Sequence, residues 1–199
     1  MAHPYYKLSR RNHGFSMIEV LVTLIVLMFG LLGAVGLMSA SQKAELESYQ
    51  RIQAIILLDD MVGRINANRK VASCYAVTTL TSGSPFLGTN STAGTPTCAV
   101  AGVSADQNAR AVSDLTDWGN TLLGNSEILG GNNTGAMIGA RGCISYDAAN
   151  DIFIVSVTWQ GLNKTIASSP SIKCASGEYG TTAQRRIVSA TVKIATLSS

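Results

Sequence analysis

Gly14-Phe15-Ser16-Met17-Ile18-Glu19-Val20 opens an apolar run that continues, without a charged residue from Val20 onward, to Met38. At about 1.5 Å of rise per helical residue, Met17 to Met38 spans roughly 30 Å, the thickness of a bilayer core. The stretch therefore predicts a transmembrane helix over about residues 17–38. One carboxylate, Glu19, lies inside it near the start. A carboxylate costs about 2.5–3.5 kcal/mol at mid-membrane depth and less toward the edge. A compensating group is therefore expected, and finding it is the route to function.

The formal charge of +3 is unevenly spread over the 199 residues. Lys7, Arg10 and Arg11 give residues 1–14 all of it, and the rest of the chain balances 12 basic against 12 acidic side chains. Phosphate binding rests on clustered Lys and Arg, so no nucleic-acid partner is expected. Both histidines, His3 and His13, also lie in this short head. A chain without the head has no histidine, which removes Ser-His and Cys-His catalysis and His-ligated zinc. Asp59-Asp60 is the only adjacent carboxylate pair and reads as a solvated helix face. No catalytic, cofactor-binding or metal-binding residue is expected, and the chain is not read as an enzyme.

The four cysteines, Cys74, Cys98, Cys143 and Cys174, all follow the apolar run, and no pair has C-x-x-C spacing. An even, widely spaced set predicts two disulfides in an oxidising compartment. Three pairings are possible; Cys74–Cys98 with Cys143–Cys174 is expected because each encloses a contiguous module. The positive-inside rule agrees on location: the basic head keeps the N-terminus cytoplasmic and sends residues after about 40 outward.

Four readings of the head compete. Ser39-Ala40-Ser41 has the form of a secretory cleavage site, but the apolar run before it exceeds the usual h-region of about 7–15 residues. Ser9-Arg10-Arg11 has twin-arginine character, yet Asn12-His13-Gly14 interrupts the approach to the apolar run. A plain uncleaved anchor is the third. The fourth is carried by Gly14-Phe15-Ser16-Met17-Ile18-Glu19-Val20-Leu21, which closely resembles the class III signal of type IV prepilins and pseudopilins. That resemblance implies cleavage by a prepilin peptidase after Gly14, N-methylation of Phe15 as the new amino terminus, and Glu19 as the fifth mature residue. Glu19 then lies one helical turn from a cationic amine. In a filament it can neutralise the amine of a neighbouring subunit, and the spacing also permits pairing with its own.

Beyond Met38 the pattern turns amphipathic without a break. Leu46, Tyr49, Ile52, Ile55, Ile56, Leu58, Val62 and Ile65 fall at helical spacings, and no proline occurs between Phe15 and Pro85. One helix is predicted from about Ser16 to Asn68, with its upper stripe covered by the chain's own domain. Glu47–Arg51 and Asp60–Arg64 add i,i+4 pairs. Gly30, Gly33 and Gly36 fit close helix packing or local unwinding, and equally fit the general frequency of glycine in membrane helices. Residues 71–103 read as loop with one short strand near Tyr75–Leu80. Ser104-Ala-Asp-Gln107 has capping-box form, opening a second helix that ends near Gly124 and lays Trp118 into the core. The glycine-rich residues 124–142 read as a connecting loop. Strands are predicted at 142–146, 152–159 and 186–194, with a hairpin at Asp147–Asp151 and a long loop from Gly161 to Thr182.

This layout is similar to pilin architecture: an α+β fold with a long N-terminal helix packed on a small antiparallel β-sheet and an additional short helix. Its domains are a cleaved leader at 1–14, a long helix at 15–68 and a periplasmic globular domain at 69–199. Arg141-Gly-Cys-Ile-Ser-Tyr, Val157-Thr-Trp-Gln-Gly161 and Arg185-Arg-Ile-Val-Ser-Ala-Thr-Val resemble the PilV group of minor pilins. Major pilins usually carry a proline in the second half of the apolar helix, where this chain has Gly36, in agreement with a minor subunit. The resemblance implies residence in the inner membrane and then in a pilus, with roles in assembly, motility and adhesion. Its implied partners are the major and other minor pilins, the prepilin peptidase and the inner-membrane assembly platform. The alternatives are a pseudopilin of type II secretion and a membrane-tethered adhesin or DNA-binding module.

Overall fold

With no proline to break it, one α-helix, α1, runs from Met17 to Ala67, within a residue of the predicted bounds. The computed structural model describes residues 14–125, 127–133 and 135–194. Of the leader expected at 1–14, all but Gly14 lies outside the described residues. The chain divides into two compact units, Met1–Ala44 and Glu45–Ser199. Every described residue of the first unit is exposed. A Cβ added at Gly30, Gly33 or Gly36 meets nothing within 4 Å, and the helix passes through all three unbroken.

The second unit begins with the upper half of α1 and a 3-10 helix, Arg69–Tyr75. There follow β1 (Leu87–Gly88), α2 (Ala105–Leu122), β2 (Ile128–Leu129), β3 (Asn132–Asn133), β4 (Arg141–Asp147), β5 (Ile152–Gln160) and β6 (Arg185–Val192). β4, β5 and β6 form an antiparallel sheet with the short β1 on its far edge, in the order β1-β4-β5-β6. Register runs from Arg141↔Thr158 to Asp147↔Ile152 and from Phe153↔Val192 to Gln160↔Arg185. The architecture is α+β and pilin-like: a long N-terminal helix packed on a small four-stranded antiparallel sheet, plus another helix.

Ser104 caps α2 as the sequence predicts. Its hydroxyl accepts from the Gln107 N–H at 3.3 Å while the Gln107 side chain accepts from the Ser104 N–H at 3.3 Å, satisfying donors that a helix start leaves orphaned. Trp118 is fully buried, and its Nε1–H donates to the Leu57 carbonyl of α1 at 2.8 Å. Gly142 of β4 lies against the same ring: a Cβ there falls 2.3 Å from Trp118 Cη2 and Cζ3. The core joins Ala54, Leu58, Met61 and Ile65 of α1 to Leu115 and Leu122 of α2 and to Ile144, Val155 and Val157 of the sheet.

Four expectations change. The upper stripe of α1 is only partly covered by the domain: Leu58 and Ile65 are buried, whereas Leu46, Tyr49, Ile52, Ile55 and Ile56 are exposed. The buried face runs instead through Gln50, Ala54, Leu58, Met61 and Ile65. Two overlapping apolar stripes share the helix, and periodicity does not say which meets the sheet. No strand forms at Tyr75–Leu80. There Thr78 closes the β4 edge, its N–H donating to the Ile144 carbonyl at 2.8 Å and its hydroxyl accepting from the Ile144 N–H at 3.1 Å. The loop at 124–142 contains the β2–β3 hairpin, turned by Gly130 and Gly131 at φ 59° and 84°, values favourable to glycine.

Glu47 provides the fourth. It pairs with Arg186 at 3.0 Å, not with Arg51, and the same oxygen accepts the Leu162 and Asn163 N–H groups. Arg186 is held in place by donating to the Ala183 and Asn163 carbonyls, so this pairing orders no extra side chain. The Asp60–Arg64 pair forms at 2.9 Å, and Arg64 also bridges to Asp114 at 3.0 Å. Asp114 accepts from the Tyr75 hydroxyl at 2.5 Å, and Asn68 donates to Tyr75 and to the Gln107 carbonyl. Burial, reinforced by Asp114, pushes the Tyr75 phenol above its ordinary value.

Disulfides join Cys74 to Cys98 and Cys143 to Cys174, leaving no free thiol among the described residues. The second anchors the long loop after β5 beside a satellite core of Phe86, Ala175 and Tyr179. Arg185 fastens that loop by donating to Ser168 Oγ and to the Ile172 and Cys174 carbonyls.

The contact at Gly142 leaves no space for a methyl group, while Gly63 on α1 faces open space. Gly142→Ala is expected to destabilise the domain by about 1–3 kcal/mol through overpacking. Gly63→Ala, a helix-favouring change, is expected to stabilise it by about 0.5–1 kcal/mol. Denaturant unfolding of the two variants checks both signs.

Candidate processing and assembly site

The residues singled out at the head of the chain lie together at the start of α1. Gly14, Phe15 and Ser16 precede the helix in irregular backbone. The Ser16 carbonyl accepts the first helical hydrogen bonds, from the Glu19 N–H at 3.0 Å and the Val20 N–H at 3.3 Å. Ser16 is therefore the turning point between irregular backbone and helix. A Cβ at Gly14 meets nothing within 4 Å, and Phe15 is 84% exposed. The Gly14–Phe15 peptide bond thus lies in accessible, non-helical backbone, which a peptidase can bind in extended form.

Glu19 occupies the first turn of α1 and is exposed. A carboxylate in a first turn meets the positive end of the helix macrodipole, worth about 0.3–1 kcal/mol where exposed. No described residue forms an ion pair with it. Phe15 lies four residues before Glu19, in the irregular backbone ahead of the helix. Behind Glu19 the apolar residues from Val20 to Met38 are all exposed, and α1 is long and apolar enough to cross a membrane. Thr23 hides its hydroxyl within this stretch by donating to the Val20 carbonyl at 2.8 Å.

Three features outside the head were missed by sequence reasoning. The exposed stripe of Leu46, Tyr49, Ile52 and Ile56 was visible as helical spacing, but its outward orientation depends on which face the sheet takes. It borders an apolar groove of about 270 Å³ between α1 and the glycine-rich loop. The Glu47–Arg186 contact joins positions 139 apart, and the Tyr75–Asp114 bond positions 39 apart. No local pattern signals either. Among the described residues, no three His, Cys, Asp or Glu side chains gather as a metal site.

Residues 9–35 match the family described as the prokaryotic N-terminal methylation motif. The matched segment contains the Gly14–Phe15 junction, Glu19 and most of the apolar run. No curated protein and no solved structure matches the chain. The motif, together with the exposed apolar helix, supports a pilin-like or pseudopilin protein associated with a membrane and with pilus-type assembly machinery.

Because no described residue pairs with Glu19, Glu19→Ala is expected to leave the domain's unfolding midpoint unchanged, within about 0.5 kcal/mol. Denaturant unfolding of the detergent-solubilised chain checks this. A loss above 1 kcal/mol would show that Glu19 serves the fold of the single chain.

Proposed function

We propose that this chain is the precursor of a minor pilin of a type IV pilus. The observation that carries the reading is the methylation-motif match over residues 9–35, with its Gly14–Phe15 junction exposed in non-helical backbone just before Glu19. In this reading a prepilin peptidase on the cytoplasmic side cuts after Gly14 and methylates the Phe15 amine. Residues 17–38 anchor the chain in the inner membrane, and the domain folds in the periplasm, where the two disulfides persist.

Assembly follows from the charge at the helix head. Cleavage creates a cationic amine four residues before Glu19, so the cost of a carboxylate in the apolar segment is offset by a neighbour's amine once subunits pack. In the second unit, the exposed stripe at Leu46, Tyr49, Ile52 and Ile56 offers a further apolar surface to neighbouring subunits. The partners are the major pilin, other minor pilins and the inner-membrane assembly platform; cytoplasmic ATPases supply the energy. The pilus in turn supports motility and adhesion. The motif is shared with secretion pseudopilins; the PilV-like segments of β4, β5 and β6 favour a pilus, and Gly36 at the place of the major-pilin proline favours a minor over a major subunit.

Two variants test the reading in cells that carry the assembly system. Gly14→Trp is expected to leave full-length precursor in the membrane, and normal processing would contradict cleavage at that bond. Glu19→Ala is expected to be processed and retained in the membrane but lost from sheared surface filaments. Its incorporation at the level of the unsubstituted chain would remove the charge-pair role.

A further inference from the structure

The two edges of the main sheet are treated differently. The β4 edge is closed: β1 pairs with it at Arg141 and Gly142, and Thr78 covers Ile144. Among the described residues, nothing pairs with the β6 edge. In the β5–β6 register Gly161 lies opposite Gln184, and the Gly161 N–H donates to the Gln184 carbonyl at 2.8 Å. Antiparallel pairs alternate between bonded and non-bonded positions. The backbone groups of Arg186, Val188, Ala190 and Val192 therefore point into the sheet, and those of Ile187, Ser189 and Thr191 point outward. No described backbone group outside the sheet bonds to Arg186–Val192.

Natural sheets guard such an edge with proline, a bulge or an inward-pointing charge. Ile187-Val188-Ser189-Ala190-Thr191-Val192 has none of these. On its core side Val188 and Ala190 are only partly covered, leaving an apolar strip at the rim, while Ser189 and Thr191 are exposed on the other face. Charge then distinguishes the occupants. From Tyr179 to Ile194 the chain carries Arg185, Arg186 and Lys193 and no acidic residue. The Arg186 charge is met by Glu47, but two copies of β6 paired antiparallel place Lys193 of one beside Arg185 of the other, and paired parallel they set Lys193 beside Lys193. Both arrangements oppose equal charges, which disfavours self-pairing.

We propose that the β6 edge receives an extended strand from a different subunit of the assembly, one with alternating apolar residues and an acidic residue toward its end. The apolar positions cover the rim at Val188 and Ala190, and the acid meets Lys193. Main-chain bonds to Ile187, Ser189 and Thr191 give affinity independent of most side chains, as in other strand additions. The inference rests on the pilin reading for the kind of partner, and on the edge geometry for the mode of contact.

Proline substitution separates the two sides of the strand. Ser189→Pro removes an outward N–H that the fold does not use, and proline is tolerated at that kind of position on an edge strand. Ala190→Pro removes a rung of the β5–β6 ladder. The probe is p-benzoylphenylalanine at Thr191 in the full chain, photo-crosslinked in cells with the assembly system and mapped by mass spectrometry. The expected adduct joins Thr191 to an extended, acid-bearing segment of another subunit. Ser189→Pro should lower its yield at least tenfold while leaving the thermal midpoint of the domain within a few degrees, and Ala190→Pro should unfold the domain.

A homodimeric adduct, an adduct on a helical segment, or an undiminished adduct in Ser189→Pro would overturn the proposal. So would a yield no higher than from the same probe at exposed Thr116 on α2. Intact mass of the chain in the same sample keeps the two readings apart. A cleaved, methylated chain without the adduct rejects the edge contact alone. A chain uncleaved in the presence of prepilin peptidase that still forms the adduct rejects the pilin reading alone.

Discussion

The second unit depends on one buried helical face. Ala54, Leu58, Met61 and Ile65 of α1 enter the core at helical spacing, and Trp118 of α2 locks onto the same helix through the Leu57 carbonyl. An indole buried without an acceptor costs on the order of 1–3 kcal/mol, so the Trp118 bond fixes how α2 lies on α1. Gly142 then allows the sheet to approach the far edge of the ring, at Cη2 and Cζ3. Helix, helix and sheet thus meet at one aromatic side chain, and a single added methyl group at Gly142 enters all three packing relationships.

Polar contacts fix what the apolar core leaves free. Glu47 gathers Arg186 and two loop N–H groups onto α1 at one end of the domain, while Asp114 gathers Arg64 and Tyr75 at the other. These carboxylates use charge-assisted bonds, roughly twice as strong as neutral ones. The Cys143–Cys174 bridge and Arg185 hold the long loop after β5, whose sequence is too polar to pack on its own. Among the described residues, the sheet is left with one covered edge and one unpaired edge, and the positive charge around the unpaired edge disfavours its pairing with itself.

Much of this was legible in residues 14–199. Periodicity located α1 and α2, the capping box placed the start of α2, and β-branched runs located β4, β5 and β6 to within one or two residues of their bounds. What sequence could not resolve was which of two apolar stripes on upper α1 turns inward, because both satisfy the same spacing. Glu47 was assigned to Arg51 by the i,i+4 rule, but tertiary structure brings Arg186 within reach from the far end of the chain. Tyr75–Leu80 has strand composition, yet Thr78 meets β4 with its side chain as well as its backbone and does not continue as a ladder. At the head, residue types at fixed spacing carry the signal directly, because peptidase recognition and charge pairing act on a short local segment.

The account of function comes down to Glu19. Its carboxylate heads an apolar segment with no cationic partner among the described residues, and the proposed partner is an amine that exists only after cleavage at Gly14. Intact mass of the membrane-extracted protein, from cells with and without prepilin peptidase, tests this most directly. The account predicts a chain lacking residues 1–14 and carrying one methyl group on Phe15 when the peptidase is present, and the full-length precursor when it is absent. A full-length mass in both would contradict it.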